Sequence, residues 1–442
     1  MSANAATSDS LAELDIHSID LYHERGYPWA AWAHLREHAP VYWYERPGIE
    51  PFWAVTRYDD VKRISLDDET FINSGARLRL APADYVERRL RANASKIAAR
   101  GWDPEVPEDM VYLDNPEHRD LRRIVARRFT TAYCRSLVAE LDRLAVSIVA
   151  DFDTRLGHGE RLDLVENLAV KLPLATICNM MGLPETDWLD IHRWTDALVD
   201  LDSMRFAQPE ESRRDMRKRI HAEFHDYINA LIAERRAHPG DDLASLVLHG
   251  DVHGRALTEQ ELHGYLRLLI TAGNETTRNA ITRGVLAMLE APEQIAILEQ
   301  SPEQVAVPLV EEVLRFTSPV IQFARTATRD VELHGKRISA GDTVGIWYPS
   351  ANRDSSVFER PDELDVTRDP NPHLGFGRGV HFCLGANLAR FELRAMFREL
   401  GQRKVLSRLQ LAGEPRWLTD LHVGTIANVD VCEARPQSIA AS

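Results

Sequence analysis

Cysteine is scarce: only Cys134, Cys178, Cys383 and Cys432 occur in 442 residues. They lie far apart and form no Cys-x-x-Cys pair, which excludes a thiol-rich zinc site and a disulfide framework. Positive charge is also in deficit, with 53 Lys and Arg against 68 Asp and Glu and a formal net charge of -15. That balance argues against nucleic acid as a partner and against adsorption to an anionic membrane surface. No apolar run reaches the length of a membrane span, and the opening MSANAATSDSLAEL lacks the basic and apolar regions of a signal peptide. A soluble, cytoplasmic protein is expected. Internal repeats and low-complexity blocks are absent too.

What is present is an ordinary globular composition, 44% hydrophobic and 27% charged. The length exceeds the usual ceiling for one hydrophobic core, so either two lobes sharing an interface or one compact unit is expected. A flexible tail is predicted over residues 1–25 and a single domain, an α-rich lobe plus a smaller β-containing lobe, over 26–442. Residues 28–40 read as helix. VYWYE (41–45) and PFWAVTRY (51–58) read as two strands joined at Pro47-Gly48. The stretch from Phe71 to Tyr112 is irregular and long for a connection, which points to a functional loop or a short helix within it. From Cys134 to His238 the periodicity is helical, with breaks near Gly157, Pro184 and Pro209 and no strand signal. Thr317 to Tyr348 alternates like β structure, as does a segment near His422 to Val431.

Three stretches carry chemistry. The first, His373 to Glu392, reads HLGFGRGVHFCLGANLARFE: glycines at 375, 377, 379 and 385 surround Cys383, and a helix follows at once. Glycines there permit positive φ and close approach to a flat ligand. A sulfur just ahead of a helix N-terminus is favoured as the anion. The second is the longest periodic segment, Thr258 to Ala291, opened by a Thr258/Glu261 capping box and spanning about 50 Å. At its centre Ala272-Gly273-Asn274-Glu275-Thr276-Thr277 places glycine and β-branched residues in mid-helix, which costs stability and asks for a packing notch or a function. The third begins at Asp114-Asn115-Pro116, a helix start. His118 and Arg122 follow, four apart on one helical face, within a run of five arginines between Arg119 and Arg128.

Phe376-Gly377-x-Gly379-x-His381-x-Cys383-x-Gly385 resembles the haem-binding signature of the cytochrome P450 superfamily. The resemblance implies a mainly α fold with small β-sheets, two-lobed, with a long central helix over haem b. Cys383 would then be the axial thiolate, with Phe376, Gly377 and His381 at the haem. His118, Arg122 and Arg325 would meet its propionates. The Ala272 to Thr277 stretch resembles the family's oxygen-binding groove: Ala272 and Gly273 give room, and Glu275 and Thr276 serve as the acid-alcohol pair that manages protons. Glu312-x-x-Arg315 resembles the family's buried ExxR pair. Its usual third partner, an arginine, is replaced by Glu363, so Arg368 or Arg353 is expected to substitute. In the same way the region from Leu201 to Glu210 is expected between two helices that open and close over substrate. Leu78, Leu80, Leu269, Val320, Ile321, Phe323, Thr425 and Ile426 are the expected pocket residues.

The implied reaction is hydroxylation of a hydrophobic small molecule, terpenoid, steroid or lipid-like, with O2 as co-substrate. Neither a dinucleotide fingerprint nor clustered cysteines occur, so electrons are expected from NAD(P)H through a separate reductase and a ferredoxin or flavodoxin-type donor. That donor would dock on the arginine-bearing face, and the enzyme itself is expected to be monomeric. A peroxide-driven peroxygenase is the alternative, although the Arg-Pro pair typical of the family's peroxide users is absent. A haem-binding sensor without turnover is the other.

Overall fold

In the computed structural model the described residues are 11–75, 77–107, 109–199, 204–418 and 421–434. Apolar alternation near the N-terminus builds the edge of a five-stranded sheet. Its order is Val41–Arg46, Ile49–Val55, Thr343–Trp347, Gln322–Ala327 and Phe71–Ile72. The first two strands form an antiparallel hairpin, and Ile49–Val55 then pairs in parallel with Thr343–Trp347. All five residues of Thr343–Trp347 are buried, as expected of a strand covered on both faces. A smaller sheet joins Leu409–Leu411, Asp430–Glu433 and Leu162–Asp163.

Helices make the rest. The central one, Glu259–Leu289, runs 31 residues, about 46 Å at helical rise. Its start is fixed as the sequence implies: Thr258 Oγ1 accepts from the Glu261 N–H at 3.2 Å, and Glu261 Oε2 accepts from the Thr258 N–H at 2.7 Å. Twenty of its residues are buried, so it is a core element packed all round, not an amphipathic surface helix. It packs against Lys171–Met181, Pro302–Thr317 and Ala386–Gln402. Gly284 permits the tightest of these contacts, since a Cβ there would lie 2.6 Å from Phe397 and 2.9 Å from Val313.

Several expectations need correction. Of the tail predicted over 1–25, residues 11–25 are described, and there Ile19–Arg25 is a helix and Leu14, Ile16 and Tyr22 are buried in one cluster with Trp32 and Tyr44. The irregular stretch after Phe71 contains an 18-residue helix, Ala83–Arg100, longer than the short one expected. The run from Cys134 to His238 holds the strand Leu162–Asp163, too short to leave a periodic trace. Of the Leu201 to Glu210 region, residues 201–203 lie outside the described set. No helix among the described residues is long and apolar enough to cross a membrane.

The Glu312/Arg315 pair is fully buried and doubly bonded, with Nε and Nη2 each 2.7 Å from a carboxylate oxygen. Arg368 is the third partner, donating from Nε to Glu312 Oε2 at 3.0 Å. Arg353 instead stacks its guanidinium 3.7 Å from the Trp29 ring centroid and pairs with Asp362. Glu363 contributes its carbonyl, which accepts from Arg315 at 3.0 Å.

Candidate active site

The cysteine loop runs straight into the helix Ala386–Gln402 and touches Pro302–Thr317 through His373, whose Nε2 is 3.0 Å from Glu311 Oε2. Asn352 Oδ1 accepts from the Leu374 N–H at 2.7 Å, and the Cys383 N–H donates to the Phe376 carbonyl at 2.9 Å, closing the loop on itself. Gly377 and Gly379 have φ of 70° and 74°. A Cβ on Gly379 would lie 2.0 Å from the Ser65 carbonyl oxygen, so only glycine fits there. Cys383 borders an internal cavity, and its exposed surface faces that space. Burial pushes its thiol up, while the Gly385 amide and the Arg122 and Arg390 guanidiniums act in the opposite direction. Cys134 and Cys178 are buried elsewhere and Cys432 is half-buried.

One wall of the cavity is basic. The His118 and His381 rings lie against each other, centroids 4.0 Å apart and planes tilted by 38°. Burial first, then Arg122, lowers His118 to about 4, and burial lowers His381 further, so both rings are neutral near pH 7. Nδ1 of His118 and Nε2 of His381 are buried without a hydrogen-bond partner. Arg122 donates to the Phe382 carbonyl at 2.7 Å, and Arg325 is buried beside Tyr348. No carboxylate among the described residues pairs with either arginine. Orphaned ring nitrogens beside two guanidiniums with no carboxylate in ion-pair contact among the described residues suit an anionic group.

Apolar side chains make up much of the remaining lining, Met110, Ile177, Leu268, Leu269, Val320 and Phe323 among them. Ala272, Gly273, Thr276 and Thr277 of the central helix also line the cavity. Thr276, which lines the cavity, donates from Oγ1 to the Ala272 carbonyl at 3.1 Å. Gly273 serves both readings of the sequence: it lines the cavity, and a Cβ on it would press to 3.0 Å from Ile177.

Other predicted residues lie elsewhere. Glu275 is turned away from the cavity, its Oε1 accepting from Arg278 at 2.7 Å, Asn279 at 2.9 Å and Thr425 at 3.0 Å. Thr425 therefore belongs to this buried network and not to the pocket wall. Ile426 packs in the main core, and Leu80 and Ile321 in the cluster around Trp32 and Trp347. The Leu78 carbonyl accepts from the Ala324 N–H at 2.7 Å, which ties its segment to the sheet edge. In each case a backbone or core partner already claims the residue.

Residues 80–403 match the family model described as Cytochrome P450. The chain belongs to the cytochrome P450 family. The methyl-branched lipid omega-hydroxylase of Mycobacterium tuberculosis is 37% identical over 444 residues, covering 95% of each chain. Linalool 8-monooxygenase of Pseudomonas putida is 33% identical, covering 94% of this chain and 98% of its own. Among solved structures, Mycobacterium marinum cytochrome P450 CYP268A2 in complex with pseudoionone matches with a TM-score of 0.81 at 32% identity, covering 95% of this chain and 98% of that one. This P450 is a monooxygenase by that kinship, and the family implies haem and O2. The donor set fits haem: a sulfur at a glycine-opened loop, a neutral histidine pair with orphaned nitrogens, and two guanidiniums for a dianion.

Sequence reasoning missed several residues of this P450 cavity. Met110 and Val111 line it from the end of the stretch it flagged after Phe71. Outside the lining it also missed Arg278, the partner that holds Glu275, which sits three residues on in the same AGNETTRN run, a spacing that places it on the same helical face. Glu392 lines the cavity with a buried, unpartnered Oε1, and burial raises its carboxyl to about 8. No local pattern distinguishes it from the surface acids of other helices.

Proposed function

We propose that this monooxygenase hydroxylates an apolar terpenoid or branched-lipid molecule, with electrons from a separate ferredoxin and its NAD(P)H-dependent reductase. The observation that carries the substrate class is the apolar share of the cavity lining, where Leu268, Leu269, Val320 and Phe323 offer surface and no charge. Relatives named for linalool and methyl-branched lipids support the same class. Cys383 would hold the haem iron, His118, Arg122, Arg325 and His381 the propionates, and Phe376, Gly377, Ala272 and Gly273 would flank the macrocycle. Haem bound there supplies activation of dioxygen and insertion of one oxygen atom into a C–H bond.

The chain's own work is orientation and proton handling. The hydrophobic wall orients substrate and excludes water. Thr276 presents its hydroxyl on the cavity face of the central helix, where it can pass a proton inward. Glu275 is the nearby acid in sequence, and it reaches the cavity only by leaving Arg278 and Asn279.

The reduced protein with carbon monoxide should show the strongly red-shifted Soret band of thiolate ligation; a band typical of imidazole ligation after haem supplementation would end this reading. A panel of terpenoids, branched fatty acids and steroids, scored by the ferric spin-state change, then ranks substrates. Turnover with hydrogen peroxide alone, equal to that with reductase partners, would favour a peroxygenase instead. A Thr276→Ala variant with unaltered product formation and peroxide leakage would favour a sensor.

A further inference from the structure

Outside the cavity lining, three side chains form a chain of contacts behind the cysteine loop. His373 opens the loop, and its side chain is only 2% exposed. Its Nδ1 accepts from the Gly375 N–H at 3.0 Å, so that nitrogen carries no proton. The proton is therefore on Nε2, which donates to Glu311 Oε2 at 3.0 Å. Glu311 in turn takes a forked pair from Arg390, Nε at 2.7 Å and Nη2 at 2.9 Å. The Arg390 guanidinium lies 4.6 Å from the Phe376 ring centroid, and the Phe376 carbonyl accepts the Cys383 N–H at 2.9 Å. The contacts thus run from the first residue of the loop round to the backbone of the sulfur-bearing one.

Nothing in the reaction requires these groups to touch substrate or haem. Burial opposes ionisation of Glu311, yet His373 and Arg390 hold it down at about 2, so the carboxylate is charged. The Arg390 guanidinium is thereby held against Phe376, the residue whose carbonyl takes the Cys383 N–H. A cation fixed behind a thiolate and partly neutralised by a carboxylate is a means of tuning both the sulfur and the metal it binds.

We propose that His373 is a positioning residue: by holding Glu311 it fixes the Arg390 guanidinium behind the loop, and so sets the endurance of the sulfur–iron bond and the reduction potential of the bound haem. This rests on reading Cys383 as the iron ligand. Removing the Glu311 charge leaves Arg390 uncompensated, which favours the reduced, less positive iron. Removing His373 frees the loop's first residue and leaves Arg390 as the one side chain holding Glu311 Oε2.

The test uses haem-loaded wild type, His373→Ala, His373→Gln and Glu311→Gln. As control it uses His192→Gln, which perturbs another His-carboxylate pair, His192 to Glu166 at 3.1 Å, on the helix Trp188–Val199. The readouts are the decay rate of the thiolate-type carbon monoxide band on mild warming, and the reduction potential by spectroelectrochemistry. His373→Ala should lose the band about tenfold faster, the low end of what outer-shell partners of metal ligands contribute. His373→Gln should recover part of that loss, because its amide N–H can still donate to Glu311. Glu311→Gln should shift the potential to more positive values. The control should change thermal stability alone. Band lifetimes like wild type in both His373 variants, with an unmoved potential in Glu311→Gln, would overturn the proposal, as would equal effects from the control. Should His373→Ala fail to fold, His373→Gln and Glu311→Gln decide it. A wild type that never shows the band removes the ligand assignment, and this proposal with it.

Discussion

Arg278 on the central helix and Asp196 on the neighbouring helix Trp188–Val199 meet at 2.8 Å, their side chains 1% and 6% exposed. The same guanidinium holds Glu275 at 2.7 Å, so a residue of the motif over the cavity is tied directly to the helix before residue 200. Breaking a buried pair leaves an uncompensated charge, and Asp196→Asn should cost about 3 kcal/mol of stability. Denaturant unfolding checks this, and a cost within a few tenths of a kcal/mol would show that water replaces the pair.

Gly379 combines positive φ with a contact that admits no side chain. Gly379→Ala should destabilise by more than about 1 kcal/mol and reduce haem incorporation. The ratio of Soret to protein absorbance after purification measures the second effect. A fully loaded variant would mean that the segment around Ser65 moves aside.

Glu392 gives a pH dependence with a defined sign. Burial raises its carboxyl from an ordinary value of 4.5 to about 8, so the folded state holds this proton more tightly than the unfolded chain. Its contribution to stability is whole below about pH 4.5, falls as pH rises, and levels off above about pH 8. Between pH 5.5 and 8.5 the wild type should lose more thermal stability than Glu392→Gln, by a difference that scanning calorimetry resolves. Parallel curves would place the Glu392 carboxyl at an ordinary value.

Leu269 lines the cavity and is 6% exposed. Leu269→Trp should fill substrate space and weaken binding of an apolar ligand by about tenfold, ~1.4 kcal/mol. Titration of the ferric spin-state change reads the affinity directly. Unaltered binding would place substrate against the Val320 and Phe323 side instead.

Arg123 is 70% exposed on the helix whose other face carries His118 and Arg122. Arg123→Glu should slow reduction by a ferredoxin several-fold at low salt, with the difference shrinking as salt rises. Stopped-flow reduction at two ionic strengths measures it, and identical rates would move the docking face elsewhere.

Local chemistry was enough for the sequence to settle the cysteine loop, the capped central helix and the His118/Arg122 face, because each is written in neighbouring residues. Glycine freedom, a capping box and a four-residue spacing act within a few turns of backbone. Which side chains share the cavity was decided by packing. Leu80 and Leu269 are both buried leucines, and only the sheet beneath one and the open space beside the other tell them apart. Glu275 faces Arg278 and not the cavity because a buried carboxylate goes where donors are, and Asn279 and Thr425 come from elements 146 positions apart. Arg368 joins Glu312 across 56 positions for the same reason. Such partnerships depend on how distant segments meet, and no local pattern in the chain encodes them.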